Sequence, residues 1–226
     1  KAILVKVFLK SDDRDEAIEL LDELEQLANT AGAEVVEKIY QELPAYNPAT
    51  LIGKGKLDEL KELAELDDVH LIIFDNELSP IQMRNLSNEL QIKVLDRSGL
   101  ILDIFSKNAR TTEAQLEVQL AQLQYLLPRL SRMWAHISEQ YGGIGTRGPG
   151  ETQLESDRRV VRHHIQILKE KIQQIDRQNK EQRKQRKKMP RFALVGYTNS
   201  GKSTLMNTIT NSNVLVENKL FATLST

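Results

Sequence analysis

The stretch GYTNSGKS, from Gly196 to Ser203, has the residue types and spacing best suited to chemistry in this sequence. It matches the pattern GxxxxGK[ST], in which loop amides and the start of the following helix surround a phosphate group. We expect Lys202 to reach the β- and γ-phosphates of a nucleotide and Ser203 to bind Mg²⁺. The predicted nucleotide-binding residues are Gly196, Tyr197, Thr198, Asn199, Ser200, Gly201, Lys202, Ser203 and Thr204.

Two elements must hold this loop in place. The apolar run Phe192–Val195 predicts a strand before the loop, and STLMNTI, which begins at Ser203, predicts a helix after it. This context makes a chance match on an ordinary structural loop the weaker interpretation. No DxxG or NKxD pattern follows the loop in the printed sequence. The residues alone therefore do not identify the base, and we expect this chain by itself to hydrolyse nucleotide poorly.

A second glycine-rich stretch, GIGTRG at Gly143–Gly148, matches the GxGxxG spacing of dinucleotide-binding turns. Such a turn needs a strand before it within a βαβ unit, whereas a long helical pattern precedes this one. A plain reverse turn is the alternative, but it would need far fewer residues than the stretch 141–150, whose one charged residue is Arg147. We therefore predict that the glycines form a contact surface at the tip of a helical hairpin.

The hairpin is predicted from two apolar stripes with heptad spacing. The first passes through Leu116, Leu120, Leu123, Leu127, Leu130, Trp134 and Ile137, and the second contains Leu154, Val161, Ile165, Leu168, Ile172 and Ile175. Helices with matching stripes and a short link fold back as an antiparallel coiled coil. The first helix, residues 111–140, would extend about 45 Å, with a kink or a locally broken backbone hydrogen bond at Pro128. Because so long an arm adds little core at its far end, we interpret it as a probe.

The charge of the chain differs between its halves. Residues 1–105 carry 11 Lys and Arg and 22 Asp and Glu, whereas residues 106–226 carry 20 and 10. This asymmetry favours a polyanionic partner for the second half, although two solvated faces of opposite charge are the alternative. Arg147 offers a planar donor fork suited to phosphates or base edges. Arg158 and Arg159 follow it along the predicted stalk.

The first part of the chain alternates strand and helix patterns, which predicts a parallel sheet with helical crossovers. The strand patterns are Ala2–Leu9, Ala33–Tyr40, Val69–Asp75 and Ile92–Asp96. The helical patterns are Ser11–Thr30, Leu57–Leu66, a helix capped by Ser79 and running to Leu90, and Leu100–Phe105, opened by Ser98.

The composition excludes some classes of protein. With 40% hydrophobic and 28% charged residues it is ordinary for a soluble protein. The absence of cysteine excludes disulfides and thiolate metal sites within this chain. No apolar run reaches the about 20 residues that span a bilayer, and the alternating start KAILVKVFLK is typical of a strand rather than a signal peptide. We expect a cytoplasmic protein without a membrane span.

Several of these motifs resemble the HflX family of translational GTPases. GYTNSGKST resembles that family's P-loop, GGIGTRGPGETQLE (Gly142–Glu155) its hairpin tip and LFATLST (Leu220–Thr226) its switch I region. LIGKGK, FDNELSPIQMRNL and LDRSGLILDIF resemble its N-terminal domain, in the same order. The resemblance implies a GTPase with GTP as substrate, which binds the large ribosomal subunit and its RNA and splits or rescues stalled ribosomes.

The resemblance also implies roles for individual residues. It places the tip, from Gly142 to Gly150 with Arg147, in contact with RNA. Together with the two stalk arginines named above, the predicted RNA-contact set is Gly142, Gly143, Gly145, Arg147, Gly148, Gly150, Arg158 and Arg159. Asn199 would help to hold a monovalent cation, K⁺, near the phosphates, and Thr223 of switch I would join Ser203 as a Mg²⁺ ligand. Some family members are reported to bind ATP in the N-terminal domain, for which GKGK at Gly53–Lys56 is the candidate turn.

The full prediction is an α/β protein of three parts. These are a parallel-sheet α/β domain (1–108), a long antiparallel coiled-coil helical hairpin (109–189) with its tip at 141–151, and the beginning of a P-loop GTPase domain (190–226). A hypothesis from another class is an ATP-using RNA remodeller or adaptor, in which the coiled coil is a docking arm. Base preference discriminates between the two.

Overall fold

The structure is a computed structural model that describes residues 1–66, 68–133, 149–184, 192–196 and 200–210. Its strands are β1 (Ala2–Leu9), β2 (Val35–Leu43), β3 (Leu71–Phe74) and β4 (Lys93–Asp96). Its helices are α1 (Arg14–Ala31), α2 (Lys54–Leu66), α3 (Pro80–Leu90), α4 (Arg97–Asn108), α5 (Thr112–Met133), α6 (Pro149–Lys184) and α7 (Lys202–Thr210). Over the described ranges, no helix is both long and apolar enough to cross a membrane.

The strands form one parallel sheet in the order β2–β1–β3–β4. The predicted parallel α/β fold is therefore confirmed. Helices cover both faces of such a sheet, so a central strand is apolar on both sides. In β1, Ala2, Ile3, Leu4 and Val5 all have no solvent exposure.

Two apolar cores lie on opposite faces of the sheet. On one face, Val5 and Phe74 belong to a buried cluster with Leu60 of α2 and Leu86 of α3. On the other face, the cluster contains Leu4 and Ile73 of the sheet together with Leu24 and Leu27 of α1 and Leu100 and Ile104 of α4. This division follows from right-handed crossovers, since the chain moves one way along the sheet through α1 and the other way through α2 and α3.

Helix ends in this domain follow capping signals in the sequence. Gly32 ends α1 with a φ of 88°, a conformation that glycine adopts without steric cost. Ser79 caps α3 through a capping box with Gln82, and Pro80 occupies the first turn, as predicted. The expectation that Ser98 opens the last helix of the domain is wrong. Asp96 is the N-cap of α4, because its Oδ1 accepts a hydrogen bond from the Gly99 amide at 2.8 Å.

Helix α5 packs against α3, α4 and α6. The Asn179 amide near the end of α6 donates to Glu113 at the start of α5 at 3.0 Å, and Ile165 and Leu168 of α6 are buried. Residues 134–148, with Trp134 and Ile137 of the first stripe, lie outside the described residues. The antiparallel coiled-coil hairpin therefore stays a prediction. The interpretation of this helix as a probe did not include the packing of α5 against the N-terminal domain, which the structure shows in addition to its packing against α6.

The second long helix begins earlier than its apolar stripe suggests. Helix α6 starts at Pro149, so Gly150 and Glu151 belong to this helix rather than to a loop. Proline is favoured at the first helical position for two reasons. An amide hydrogen at that position would have no acceptor within the helix, so its absence costs nothing, and the fixed φ of proline suits a helix.

Candidate functional site

The predicted phosphate-binding loop leads into α7, whose first residue is Lys202. Gly201 precedes it with a φ of 80°, and its carbonyl oxygen accepts a hydrogen bond from the Leu205 amide at 2.9 Å. Glycine allows this left-handed turn, from which the chain enters the helix directly. The first amides of α7 therefore lie beside the loop, where a helix N-terminus favours an anion.

The Lys202 side chain folds back across the loop. Its Nζ donates to the Gly196 carbonyl oxygen at 2.9 Å and to Ser200 Oγ at 3.4 Å. A Cβ added at Gly196 would lie 3.0 Å from Ser200 Oγ, so a larger residue would crowd the loop at this point. An ammonium group held between the two ends of the loop, next to a helix N-terminus, is suited to neutralising a phosphate.

The residues before the loop do not form the predicted strand. Residues 192–196 have no regular secondary structure, and Phe192 and Val195 are 93% and 92% exposed. A strand is stable only when its backbone groups pair with a neighbouring strand, and no strand pairs with this segment in the described parts of the chain. The strand prediction for Phe192–Val195 is therefore wrong for this structure.

The predicted site residues are only partly described. Ser203 lies half-buried in the first turn of α7 and Thr204 follows it, exposed. Tyr197, Thr198, Asn199 and Thr223 lie outside the described residues, as do the tip residues Gly142, Gly143, Gly145, Arg147 and Gly148. On α6, Arg158 is half-buried and Arg159 is exposed. A hydroxyl at the start of α7 has the oxygen chemistry that Mg²⁺ prefers, and Ser203 therefore fits the role predicted for it.

The turn predicted to bind ATP, GKGK at Gly53–Lys56, makes contacts with other residues of the protein. The Gly53 amide donates to Gln41 Oε1 at 3.2 Å, and Lys56 forms an ion pair with Glu59 at 2.6 Å. Lys54 is the first residue of α2. No described contact of this turn favours a phosphate site, and ATP binding there stays a prediction.

Sequence reasoning missed a polar network at the carboxyl edge of the sheet. Asp75, directly after β3, is 8% exposed and pairs with Lys6 at 2.5 Å and with Arg97 at 2.6 Å. Arg97 also pairs with Glu23 of α1 at 2.7 Å. The sequence signal that could have indicated this network is a carboxylate directly after an apolar strand, because a carboxylate buried there requires a charged partner.

At the point where the strand order reverses, an asparagine side chain pairs with the end of β1. Doubly wound sheets bind ligands outside the carboxyl ends of the strands at this point, which here lies between β1 and β3. The Asn76 side chain occupies it, since Oδ1 accepts from the Val7 amide and Nδ2 donates to the Val7 carbonyl, both at 2.8 Å. This amide continues the pairing of the two strands beyond β3.

A second carboxylate, Asp96, ends β4 and has no solvent exposure. Besides capping α4, it accepts hydrogen bonds from Tyr125 Oη at 2.7 Å and from Arg129 Nη2 at 2.9 Å, both on α5. Burial first, and then the hydrogen bond to Asp96, raises the pKa of Tyr125 above its ordinary value. The hydroxyl is therefore held in its protonated, donating form.

A parallel α/β domain followed by a loop in which a lysine folds back at a helix N-terminus defines a protein of the P-loop nucleotide-binding class. Three family models match the chain: GTP-binding GTPase N-terminal over residues 19–106, GTP-binding GTPase Middle Region over 108–186 and 50S ribosome-binding GTPase over 191–226.

Named relatives agree with these models. GTPase HflX of Flavobacterium psychrophilum is 52% identical over 226 residues, which are 100% of this chain and 55% of that protein. GTPase HflX of Caldanaerobacter subterraneus is 49% identical, over 99% of this chain and 52% of that protein. The chain belongs to the HflX family and spans about half the length of these relatives.

A solved structure shares the fold. A GTP-binding protein from the hyperthermophilic archaeon Sulfolobus solfataricus, crystallised in complex with GDP, is 24% identical with a TM-score of 0.55. The match covers 93% of this chain and 54% of that structure.

Proposed function

We propose that the full-length protein containing this chain is a GTPase that binds the large ribosomal subunit and splits or rescues stalled ribosomes. The observation that carries the proposal is the Lys202 ammonium, held 2.9 Å from the Gly196 carbonyl oxygen beside the start of α7. Membership of the HflX family supports GTP rather than ATP as the nucleotide, and the match of residues 191–226 to a 50S ribosome-binding GTPase model supports the partner.

In this proposal, Lys202 exchanges its contact with the Gly196 carbonyl for the β- and γ-phosphates. The amides at the start of α7 would bind the same phosphates, and Ser203 with Thr223 would hold Mg²⁺. Mg²⁺, when bound, would stabilise negative charge on the phosphate oxygens. Asn199 would hold K⁺ near the phosphates. The nucleotide state would then control how the hairpin of residues 109–189 meets ribosomal RNA in the cytoplasm.

The first experiment is co-sedimentation of the full-length protein with purified large ribosomal subunits. The conditions are a non-hydrolysable GTP analogue, the matching ATP analogue and no nucleotide. We expect pelleting that depends on the GTP analogue. Lys202→Ala should lose this dependence, because a hydrogen bond to a charged group contributes about 1.5–3 kcal/mol. Lys10→Ala, an exposed lysine directly after β1 and outside the hairpin, is the matched control. Pelleting that ignores the nucleotide contradicts the switch, and no pelleting contradicts the partner.

The RNA contact is tested in the same assay at several salt concentrations. Each phosphate contact that is lost should reduce the slope of log affinity against log salt by about 0.7–0.9. We expect this reduction for Arg159→Gln, and we expect loss of ribosome binding but retention of nucleotide when residues 143–148 are replaced by a short turn. An unchanged slope together with full ribosome binding by the short-turn protein would show that the tip and stalk do not contact RNA.

A further inference from the structure

Helix α5 joins the N-terminal domain to α6 and has two distinct faces. Its apolar stripe, which includes Leu120 and Leu123, is half-buried along the helix. A second set of buried or half-buried residues lies off that stripe and consists of Ala114, Val118, Tyr125 and Arg129. Their spacings of 4, 7 and 4 residues place them on one side of a helix. This second face contacts the N-terminal domain.

The two ends of this second face are attached by different chemistry. Near the start of α5, Ala114 and Val118 form a small buried apolar cluster with Ala109 and Phe105. Near the other end, a cavity of about 330 Å³ lies beside Arg129, between α3 and the start of β4. The contacts of this face with the N-terminal domain at that end of α5 are polar.

Those polar contacts converge on Asp96. Its Oδ1 accepts from Tyr125 Oη at 2.7 Å and from the Gly99 amide at 2.8 Å. Its Oδ2 accepts from Arg129 Nη2 at 2.9 Å and from the Leu78 amide at 3.3 Å. One fully buried carboxylate thus joins the end of β4, the start of α4, the segment before α3 and two side chains of α5.

Arg129 is constrained in direction as well as in position. Its guanidinium lies 3.4 Å from the centre of the Tyr125 ring, Nη1 donates to the Tyr125 carbonyl at 2.8 Å, and Nη2 also donates to the Leu78 carbonyl at 3.2 Å. Its Nε is buried and makes no hydrogen bond. A buried ion pair with an unpaired donor contributes little to stability compared with apolar packing, and its best-attested role is to specify one arrangement.

Gly99 provides the space for this arrangement. A Cβ at Gly99 would lie 2.8 Å from Tyr125 Oη and 3.3 Å from Tyr125 Cζ. The start of α4 therefore has room for this hydroxyl, and a shift of α5 along α4 would move Tyr125 away from both Asp96 and the space at Gly99.

We propose that Asp96, Tyr125 and Arg129 are positioning residues that set the direction of α5, and of α6 with it, relative to the N-terminal sheet. The consequence for ribosome binding rests on the proposed function, because an arm that contacts RNA must leave the domain in a defined direction. The direction itself does not depend on that function and is measured separately.

The experiment measures distances between two spin labels in the nucleotide-free full-length protein. This chain has no cysteine, so Asp58→Cys on α2 and Gln173→Cys on α6, both exposed, provide defined label sites in it. The test variant is Asp96→Asn with Arg129→Met, which removes both charges together and avoids leaving one unpaired. We expect the parent to give a single narrow peak of label-to-label distances. The double variant should fold with a free energy of unfolding close to that of the parent, but its distance distribution should be broad.

Three further variants keep the result interpretable. Arg129→Lys retains the charge and should recover part of the narrow peak, Tyr125→Phe removes only the hydroxyl and should broaden the peak, and Arg177→Met, an exposed arginine of α6, should leave it unchanged. An unchanged narrow peak in the folded double variant overturns the proposal. If that variant does not fold, unchanged peaks in both Arg129→Lys and Tyr125→Phe overturn it.

Co-sedimentation of the same proteins with large ribosomal subunits separates the two proposals. Broadened distances together with weakened pelleting support both. Broadened distances in a protein whose parent never pellets overturn the proposed function and leave the positioning role established.

Discussion

Two segments of this protein precede a helix, and they differ in what holds them in place. In the first, β4 pairs with β3, and a buried Asp96 caps α4. In the second, residues 192–196 pair with no described strand, and α7 has no buried residue in the described structure. The first segment holds neighbouring elements together, whereas the residues of the second at 192–196 and 200–201 are exposed.

Glycine serves opposite purposes in these two segments. Gly99 of α4 is required for space, because a Cβ there would lie 2.8 Å from a tyrosine oxygen. Gly201 is required for conformation, because its φ is 80° while nothing lies within 4 Å of its missing Cβ. Substitutions at the first segment should therefore affect the free energy of unfolding, and substitutions at the second should affect nucleotide binding.

The largest effect is expected for Asp96→Asn. The change leaves the buried Arg129 charge without its partner, and breaking a buried ion pair in this way costs about 3–5 kcal/mol. The free energy of unfolding, measured with a chemical denaturant, should fall by this amount. Asp176→Asn on the exposed side of α6 is the matched control and should stay within about 0.5 kcal/mol of the parent. A loss for Asp96→Asn no larger than that of the control would show that this carboxylate does not hold the segment.

The parts of the fold that were predictable from sequence are those specified locally. Ser79, Pro80 and Gly32 have capping roles that depend on neighbours a few residues away. The role of Asp96 depends on Tyr125 and Arg129, which are 29 and 33 residues further along the chain. Nothing in the spacing of the apolar stripe identifies the partner of a second helix face, so the contact could not be derived.

In the phosphate-binding loop, the local element was predicted correctly and the element that needs a distant partner was not. The motif's pattern predicted the helix after the loop, and the structure begins that helix at Lys202, one residue before the predicted stretch STLMNTI. The strand before it was wrongly predicted, because an apolar run provides only one side of a ladder and the other side must come from elsewhere in the chain. The motif therefore indicates the helix that follows it, but it does not supply the neighbouring strand that its preceding segment needs.

Gly99→Ala should have the next largest effect. The added methyl group would overlap the Tyr125 hydroxyl, and overpacking of this kind costs about 1–3 kcal/mol. Gly55 of α2 is a matched control, because nothing lies within 4 Å of its missing Cβ, and Gly→Ala in an open helix stabilises by about 0.5–1 kcal/mol. The two substitutions should thus shift the thermal unfolding midpoint in opposite directions. Adding Tyr125→Phe to Gly99→Ala should recover part of the loss, and a shift in the same direction for both glycines would exclude steric overlap.

Gly201→Ala should have a smaller effect, which appears in ligand binding. An L-residue in the left-handed region costs roughly 1–2 kcal/mol, and this strain would favour a different loop conformation. We expect GTP affinity in the full-length protein, measured by fluorescence titration, to fall about 5- to 30-fold while the unfolding midpoint of the N-terminal domain stays constant. Gly201→Asn should lose less affinity, because asparagine tolerates this conformation better. Equal losses for Ala and Asn would indicate that the backbone angle is not what the loop requires.

The smallest effect is expected for Tyr125→Phe and appears only at alkaline pH. This substitution removes the hydroxyl group of Tyr125 but keeps its aromatic ring. Burial, and then the hydrogen bond to Asp96, raises the pKa of Tyr125 above its ordinary value of 10.0. The folded state therefore holds this proton more tightly than the unfolded state does. Its contribution to stability is complete below about pH 10, the unfolded value, and declines as the pH rises toward the folded value. We expect the parent to lose stability above about pH 10 more steeply than Tyr125→Phe. The pKa of Lys38 is also raised, by its hydrogen bonds to Asp22 and Glu25, but this contribution is common to both proteins and cancels in the difference. Parallel curves would mean that the hydroxyl titrates alike in both states, and that only the ring of Tyr125 holds α5 in place.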